Sequence, residues 1–459
     1  MMDPRILTAS GMKVEECVSD SLDLWAKPLV ETQVESAYFV EVIPDVPLQD
    51  GNNTIMFRIP NSDDMTDLSG SFIQIRATIK KGDGSNLDAF AAATVAVAQR
   101  NSVGFVNIPS TSMFSGMNFR INSELLSDSF QTYPYLSYFQ NLLNYSRDAM
   151  ESRLQLLGFY IDNDINSTDA HVDAVETGFK ERATLTALSH EATFITNIFH
   201  GMFSQTKYLP ALTPISLEFV KAPSAFCLTS NAQNPTFKYE IKSMKLFLRR
   251  IKVRASRKLA IEQKLAKEAA VYGIRQSYVK PFFIDAREKS VSFDNVFQSR
   301  TIPAFCIIAF CLQTNYRGNY ATSPFKFENF SLTSLKMSID NEVYPSPFPF
   351  RPNYTSTTAP DFTREYLALY QNEIKINSGS IIDLEMFKNG GYCMYAFDFG
   401  NEITLARDHT TPKRSGSCRL DVTFDSGSTN AALCMLMYVE DDQQIAIDEN
   451  RNVLRDFFV

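Results

Sequence analysis

Few residues in this chain have the types and spacing that catalysis requires. The four histidines are isolated, and none belongs to an HExxH, HxH or Cys/His cluster that could bind a catalytic metal: His171, His190, His200 and His409. The chain also lacks the GxSxG turn of hydrolases and the glycine-rich loops that bind phosphate. The sequence therefore predicts a protein that is not an enzyme and that uses no cofactor.

One polar segment has the ligand spacing of a calcium-binding loop. Oxygen-bearing side chains recur through DNDINSTDAHVD (162–173), in the pattern that the hard Ca²⁺ ion requires: Asp162, Asp164, Asn166, Thr168 and Asp173. The sixth position is Ser167, where the turn favours glycine, and the last candidate ligand is Asp rather than Glu. Two interpretations remain open, a solvated polar loop, which we favour, and a weak calcium site.

Positive charge is concentrated in one segment of an acidic chain. The net charge is −8, yet residues 242–267 hold ten Lys/Arg and one acid, which leaves −17 for the remainder. Lys/Arg density drives binding to phosphates, so the central basic residues are candidates for facing nucleic acid: Arg249, Arg250, Lys252, Arg254, Arg257 and Lys258. The alternative, which we favour, is a solvated face or a contact with an acidic neighbour.

Composition indicates a globular protein that is rich in sheet. The chain has 459 residues, too many for one hydrophobic core, and its 36 Phe and 19 Tyr suit pleated surfaces. The longest apolar runs, 89–98 and 302–312, are too short to span a bilayer. The N-terminus shows no secretory signal. Seven cysteines form no CxxC pair, so we expect buried free thiols in a reducing compartment.

The two halves of the chain repeat each other in the same order. TYPYLSYFQN (132–141) matches DFTREYLALYQN (361–372) at an offset of 231, and SFIQIRATI (71–79) matches AFCIIAFCL (304–312) at an offset of 233. Further short matches keep this order, which favours a duplication over coincidence. Each copy offers about eight strand candidates with long, irregular connections, as in a two-sheet jelly roll. We therefore predict an all-β fold with a few inserted helices and two eight-stranded jelly rolls in tandem.

A charged segment between the copies, RASRKLAIEQKLAKEAAVYG (254–273), reads as a connecting helix. Ser256 is its candidate N-cap and Gly273 its candidate stop. Its apolar stripe is expected to pack toward the domain junction: Leu259, Ile261, Leu265 and Ala269. The predicted organisation is an N-terminal arm (1–35), a first jelly roll (36–254), this helix (255–273) and a second jelly roll (274–459).

Several segments, in order along nearly the whole chain, resemble the major capsid proteins of Maverick/Polinton elements and adintoviruses, which are integrated double-stranded DNA virus-like elements of animals. The segments are DLWAKPLVETQVES (23–36), TYPYLSYFQNLLNYS (132–146), AFCLTS (225–230), LFLRRIKV (246–253), NVFQSRTIPAFCIIAF (295–310), NYRGNYATSPFKFENFSL (315–332), REYLALYQ (364–371), GGYCMYAFDF (390–399) and IAIDENRNVLRDFFV (445–459). No family pattern is recognisable in 84–112 or 160–200.

This resemblance implies a double jelly roll whose three copies form a pseudo-hexagonal capsomer. Such capsomers would tile an icosahedral shell around double-stranded DNA. The implied partners are two further copies of the chain, neighbouring capsomers, penton and minor capsid proteins and, through non-specific contact, the packaged DNA. The implied location is the virion capsid, with synthesis in the host cytoplasm or nucleus. The alternatives are a trimeric β binding protein, such as a receptor-binding module, and a hydrolase on a jelly-roll scaffold.

Overall fold

Twenty-one β-strands dominate the described part of the chain. The computed structural model describes residues 31–48, 52–90, 102–127, 130–162, 165, 167–171, 177–297, 301–345, 348–356, 358–371, 381–399, 414–425 and 430–455. Ten strands precede residue 254: β1 (Val34–Val42), β2 (Thr54–Ile59), β3 (Met65–Lys80), β4 (Val103–Phe105), β5 (Phe114–Ile121), β6 (Glu124–Leu125), β7 (Ala192–Thr196), β8 (Ile215–Lys221), β9 (Leu228–Ser230) and β10 (Lys238–Val253).

Eleven strands follow in the second half: β11 (Ala270–Ile284), β12 (Ser290–Asp294), β13 (Thr301–Ile302), β14 (Phe305–Leu312), β15 (Leu332–Ile339), β16 (Glu342–Tyr344), β17 (Met394–Asp398), β18 (Arg414–Ser415), β19 (Cys418–Phe424), β20 (Leu433–Ile447) and β21 (Val453–Arg455). The α-helices are α1 (Pro109–Ser112), α2 (Tyr133–Asn144), α3 (Arg147–Met150), α4 (Gly178–Leu185), α5 (Gly201–Ser204), α6 (Ser224–Cys227), α7 (Ala255–Leu265), α8 (Gln313–Arg317), α9 (Thr363–Gln371) and α10 (Leu384–Lys388). Short 3-10 helices lie at Arg153–Leu157 and Ala187–Ser189.

The two halves have the same sheet topology. In the first half the sheets run β1-β10-β3-β7 and β2-β8-β5-β6. In the second half they run β11-β20-β14-β17, with β21 added beside β20, and β12-β19-β15-β16. When strands are matched in chain order, the strand orders of the two pairs of sheets correspond one for one. The fold prediction is confirmed, because each half is an eight-stranded jelly roll of two antiparallel four-stranded sheets.

The core follows from the alternation of side chains along these strands. In β2, Ile55, Phe57 and Ile59 are buried, while the residues between them are more exposed. This period of two places one apolar face of each sheet in the interior. The six cysteines in the described residues are buried free thiols, as predicted. No helix in those residues is long and apolar enough to cross a membrane.

Helices α2 and α9 occupy equivalent places in the topology. Helix α2 lies between β6 and β7, and α9 lies between β16 and β17. Each helix therefore follows the last strand of one four-stranded order (β6 or β16) and precedes the last strand of the other (β7 or β17). They are also the two segments matched at an offset of 231 in the sequence. The repeat therefore includes the helical insertion as well as the strands.

The connecting helix is shorter than predicted. Helix α7 ends at Leu265, and Gly273 lies inside β11 rather than at a helix end. The reason is tertiary, since β11 pairs with β20 residue by residue from Ala270 onward, and this pairing outweighs local helix propensity. The N-cap is Arg254, without a side-chain cap, so Ser256 is already inside the helix. Of the predicted apolar stripe, Leu265 is buried but Leu259 is 59 % exposed.

Strand β1 begins at Val34, two residues before the predicted start of the first jelly roll. Residues 1–30 of the predicted arm lie outside the described residues.

Candidate functional site: the junction between the two jelly rolls

Aromatic stacking joins helix α2 of the first half to the second half. Tyr138 stacks on Phe325 with ring centroids 4.3 Å apart, and Phe139 stacks on Phe327 at 5.3 Å. Tyr135 lies parallel to Tyr316 at 5.8 Å. Aromatic pairs in such arrangements contribute about 0.5–1.5 kcal/mol each beyond their burial. The helix is buried on nearly every side, which explains why its sequence is apolar all round.

Polar contacts accompany this stacking along strand β11. The Thr132 hydroxyl donates to the Val279 carbonyl at 2.7 Å, and the Gln140 amide donates to the Ser277 hydroxyl at 3.0 Å. In the described residues β11 pairs with β20 alone, so its other edge would otherwise be open. An uncovered strand edge is a site for pairing with another chain. Helix α2 therefore covers a strand edge that would otherwise be open to pairing with another chain.

A buried ion pair lies behind the junction. The Arg182 guanidinium donates to both carboxylate oxygens of Asp162 at 3.0 and 3.2 Å, and also to the Phe105 carbonyl at 2.9 Å. Both charged side chains are about 95 % buried, with 4 % and 5 % exposed. The Tyr392 hydroxyl of the second half donates to the Asp162 carbonyl at 3.2 Å. This network thus connects a helix, a loop and the opposite jelly roll.

The calcium candidates are not assembled by the described residues. The Asp162 carboxylate is bound to Arg182, and Thr168 is half-buried in the same loop. Asp164, Asn166 and Asp173 lie outside the described residues. Within the described residues there is no group of three His, Cys, Asp or Glu that could hold a metal ion. The calcium site stays a prediction, and the one described carboxylate among its candidates already has a cationic partner.

The predicted nucleic-acid-facing residues do not form one free basic surface. Four of the six have partners in the chain: Arg249 binds Asp67 at 3.0 Å, Arg250 binds the Thr66 hydroxyl and the Pro60 carbonyl, Lys252 binds Glu35 at 3.3 Å, and Lys258 binds Asp63 at 3.6 Å. Arg250 is also 4 % exposed. Arg254 and Arg257 are exposed on and beside α7. The geometry favours the structural interpretation, and contact with nucleic acid stays a prediction.

His200 is buried at the base of the junction, with both ring nitrogens engaged. Its Nδ1 accepts from the Met202 amide at 3.1 Å, and its Nε2 lies 3.1 Å from the Leu126 carbonyl. Burial lowers the pKa of His200 to about 4, against an ordinary 6.5. His171 is also buried, His190 is exposed, and His409 lies outside the described residues. Where the structure describes them, the histidines do not come together in a catalytic cluster.

The depressed pKa of His200 predicts acid sensitivity. Below pH 6.5 the unfolded chain binds a proton at His200, whereas the folded chain leaves His200 neutral until the pH approaches 4. The stability that the folded state gains from a neutral His200 is therefore complete above pH 6.5 and is lost as the pH falls toward 4. We expect His200→Gln to remove about 3 kcal/mol of pH dependence from the free energy of unfolding across that window. Denaturant titrations of both proteins at several pH values measure the difference.

The matched control is His190→Gln, because His190 is exposed. This variant should keep the pH profile of the wild type. Identical profiles for His200→Gln and the wild type would contradict the assignment.

Sequence reasoning missed the second-half side of the junction. Tyr316, Phe325 and Phe327 fall within NYRGNYATSPFKFENFSL, which contributed to the resemblance but suggested no contact. The spacing of these aromatic residues was the one feature of the sequence that could have indicated the contact. The partner of Asp162 was also missed, because Arg182 lies 20 residues away across a loop that has no periodic pattern.

The structure defines a double jelly roll, and comparisons with known proteins agree with it. The solved structure of the Sputnik virophage matches with a TM-score of 0.64 at 12 % identity, covering 97 % of this chain and 93 % of that one. VP54 of PBCV-1 matches at 0.57 and 11 % identity, covering 94 % and 99 %. The mavirus major capsid protein matches at 0.53 and 11 % identity, covering 97 % and 96 %. At these identities the likeness establishes the fold.

Sequence comparison adds one relative. An uncharacterized protein of Caenorhabditis elegans, F54H12.2, is 22 % identical over 364 residues, which cover 77 % of this chain and 82 % of that protein. No family model matches the chain.

Proposed function

We propose that this chain is a major capsid protein of the double jelly-roll type, similar in role to those of virophages and Maverick elements. The observation that carries the proposal is the duplicated jelly roll, with the same sheet order in both halves. It is supported by the PBCV-1 virus capsid and the mavirus major capsid protein, which are among the structures that share the fold over nearly the whole chain. The role is structural rather than catalytic.

The duplication suits a protein that tiles a shell. A chain with two similar jelly rolls presents two similar sets of edges, so three chains in a ring would present six. We propose that the functional unit is this homotrimer and that it packs with further trimers into an icosahedral shell around double-stranded DNA. Penton and minor capsid proteins would complete the shell, and the protein would reside in the virion after synthesis in the host cytoplasm or nucleus. The proposed domains are the two jelly rolls on either side of α7.

Sedimentation of the purified chain tests the proposal. The monomer has a mass of 51.8 kDa, so we expect a species of about three times that value at micromolar concentration. On concentration, electron micrographs should show hexagonal arrays or closed shells. A chain that stays monomeric at high concentration would contradict the proposal. Stable trimers that never associate further would instead favour a trimeric binding protein.

A further inference from the structure

Helix α9 carries the same contact stripe as α2. Thr132, the N-cap of α2, and Gln140 within it bind strand β11, and Leu136 lies between them, so the three are spaced four apart on one side of the helix. At an offset of 231 the sequence of α9 has Thr363, Leu367 and Gln371, the same three residue types. The duplication has preserved the residues that dock one jelly roll on the next.

The two stripes differ sharply in exposure. Leu136 is 5 % exposed, because α2 lies between the two halves and Leu136 lines a junction cavity together with Gln276. Its counterpart Leu367 is 52 % exposed. The rest of α9 is anchored to its own half, since the Tyr366 hydroxyl donates to the Ile382 carbonyl at 3.0 Å and Leu369 is buried. The helix is therefore held firmly, and Thr363 and Leu367 on its docking side are exposed among the described residues.

Within the described residues, the complementary surface on the other half is also exposed. Strand β1 is the counterpart of β11 at the edge of its sheet, and in the described residues it pairs with β10 alone. The correspondence between β1 and β11 follows from the repeat, in which Phe72 aligns with Phe305. In the first half, Phe72 pairs with Phe247, which pairs with Glu41 on β1. In the second half, Phe305 pairs with Glu440, which pairs with Ser277 on β11. Glu41 thus corresponds to Ser277, and Ile43 corresponds to Val279.

Exposure along β1 is the reverse of that along β11. Val279, whose carbonyl accepts from Thr132, is 0 % exposed, whereas Ile43, the residue that follows β1, is 65 % exposed. Phe39, at the middle of β1, is 52 % exposed. Exposed apolar side chains on an open strand edge mark a site for association. Within the described residues, each chain therefore contains one helix–edge pair in contact and two exposed surfaces that correspond to a second pair.

We infer that α9 of one copy docks through Thr363 and Leu367 on the β1 edge of a second copy, near Ile43. This contact repeats between chains the junction that α2 and β11 form within one chain. It rests on the proposed function and specifies which surfaces hold the assembly together. The partner is a second copy because the sequence that fits the β1 edge is the chain's own duplicated stripe.

The contact is heterologous, since each chain gives a helix to one neighbour and an edge to another. Such contacts close into rings when the rotation permits. In a ring of three chains, α2–β11 junctions would alternate with α9–β1 junctions, giving six similar contacts around the ring. This alternation explains why both halves keep the helix at the same place.

The first experiment compares two leucine variants of the full chain in sedimentation. Leu367→Asp places a charge in the proposed contact, and we expect association to weaken on the order of a hundredfold, so that the monomer predominates at micromolar concentration. Leu156→Asp is the matched control, because Leu156 is 53 % exposed and lies outside both surfaces. It should assemble like the wild type. Unfolding curves check that both variants are folded.

The second experiment traps the contact covalently. Thr363→Cys and Ile43→Cys in the same chain, treated with a short bis-maleimide, should give dimers and trimers on a denaturing gel, while each single variant should give only the wild-type background. Assembly of Leu367→Asp at wild-type strength, together with no cross-link in the double variant, would overturn the inference and leave the proposed function standing. A wild-type chain that does not assemble contradicts both.

Discussion

Replacing Phe325 with alanine should lower the free energy of unfolding by about 3–5 kcal/mol, the range for a fully buried aromatic residue. Phe325 is 1 % exposed, and its ring contacts three rings of the first half, Tyr135, Tyr138 and Phe226. Alanine would leave a cavity between the jelly rolls, lined by the rings that Phe325 now contacts. Denaturant unfolding at fixed protein concentration measures the loss.

The control is Phe325→Leu, which removes the stack but keeps most of the apolar volume and should cost less than alanine. We also expect the alanine variant to unfold in two steps, because the halves have separate sheets and share this junction. An alanine variant as stable as the wild type would show that the stacked rings do not hold the halves together.

Replacing Arg182 with methionine should cost a similar amount, about 3–5 kcal/mol, because it leaves the buried Asp162 carboxylate without its cationic partner, with only the neutral Asn107 amide donating to it among the contacts described. The Phe105 and Tyr160 carbonyls would lose a donor as well. The loss should be visible as a shift of the unfolding midpoint with an unchanged slope.

Two comparisons isolate the ion pair. Arg147→Met breaks the exposed pair with Glu151, whose side chains are 62 % and 52 % exposed, and should change stability far less, because solvent screens such a pair. The double variant Arg182→Met with Asp162→Leu should recover part of the loss, because no charge is then left unpaired in the interior. A single Arg182→Met variant with wild-type stability would contradict the role assigned to the pair.

The fold could be predicted from the sequence because its signals are local or repeated. Alternation through SFIQIRATIK is visible in ten residues, and the duplication is visible as ordered matches at a nearly constant offset. The end of α7 could not be predicted in this way. Gly273 looks like a helix stop, yet the strand that contains it forms because Gln444 lies opposite it, 171 residues later in the chain.

The candidate sites were harder to predict for the same reason. Arg249 and Arg250 look like a free basic pair in sequence, but their partners Asp67 and Thr66 lie more than 180 residues away and meet them only across the β3–β10 ladder. The bare stripe of α9 is also invisible in the sequence, where Leu136 and Leu367 look alike. Exposure separates them, and exposure depends on which half of the chain lies next to each helix.

Single-particle electron microscopy of the purified assembly shows whether two equivalent jelly rolls in each chain build one tile. We expect a ring of three chains in which six similar lobes surround the axis, with α9 of each chain against β1 of the next. A ring with a different number of chains would contradict the tile, and a trimer in which α9 and β1 both face solvent would overturn the α9–β1 contact alone.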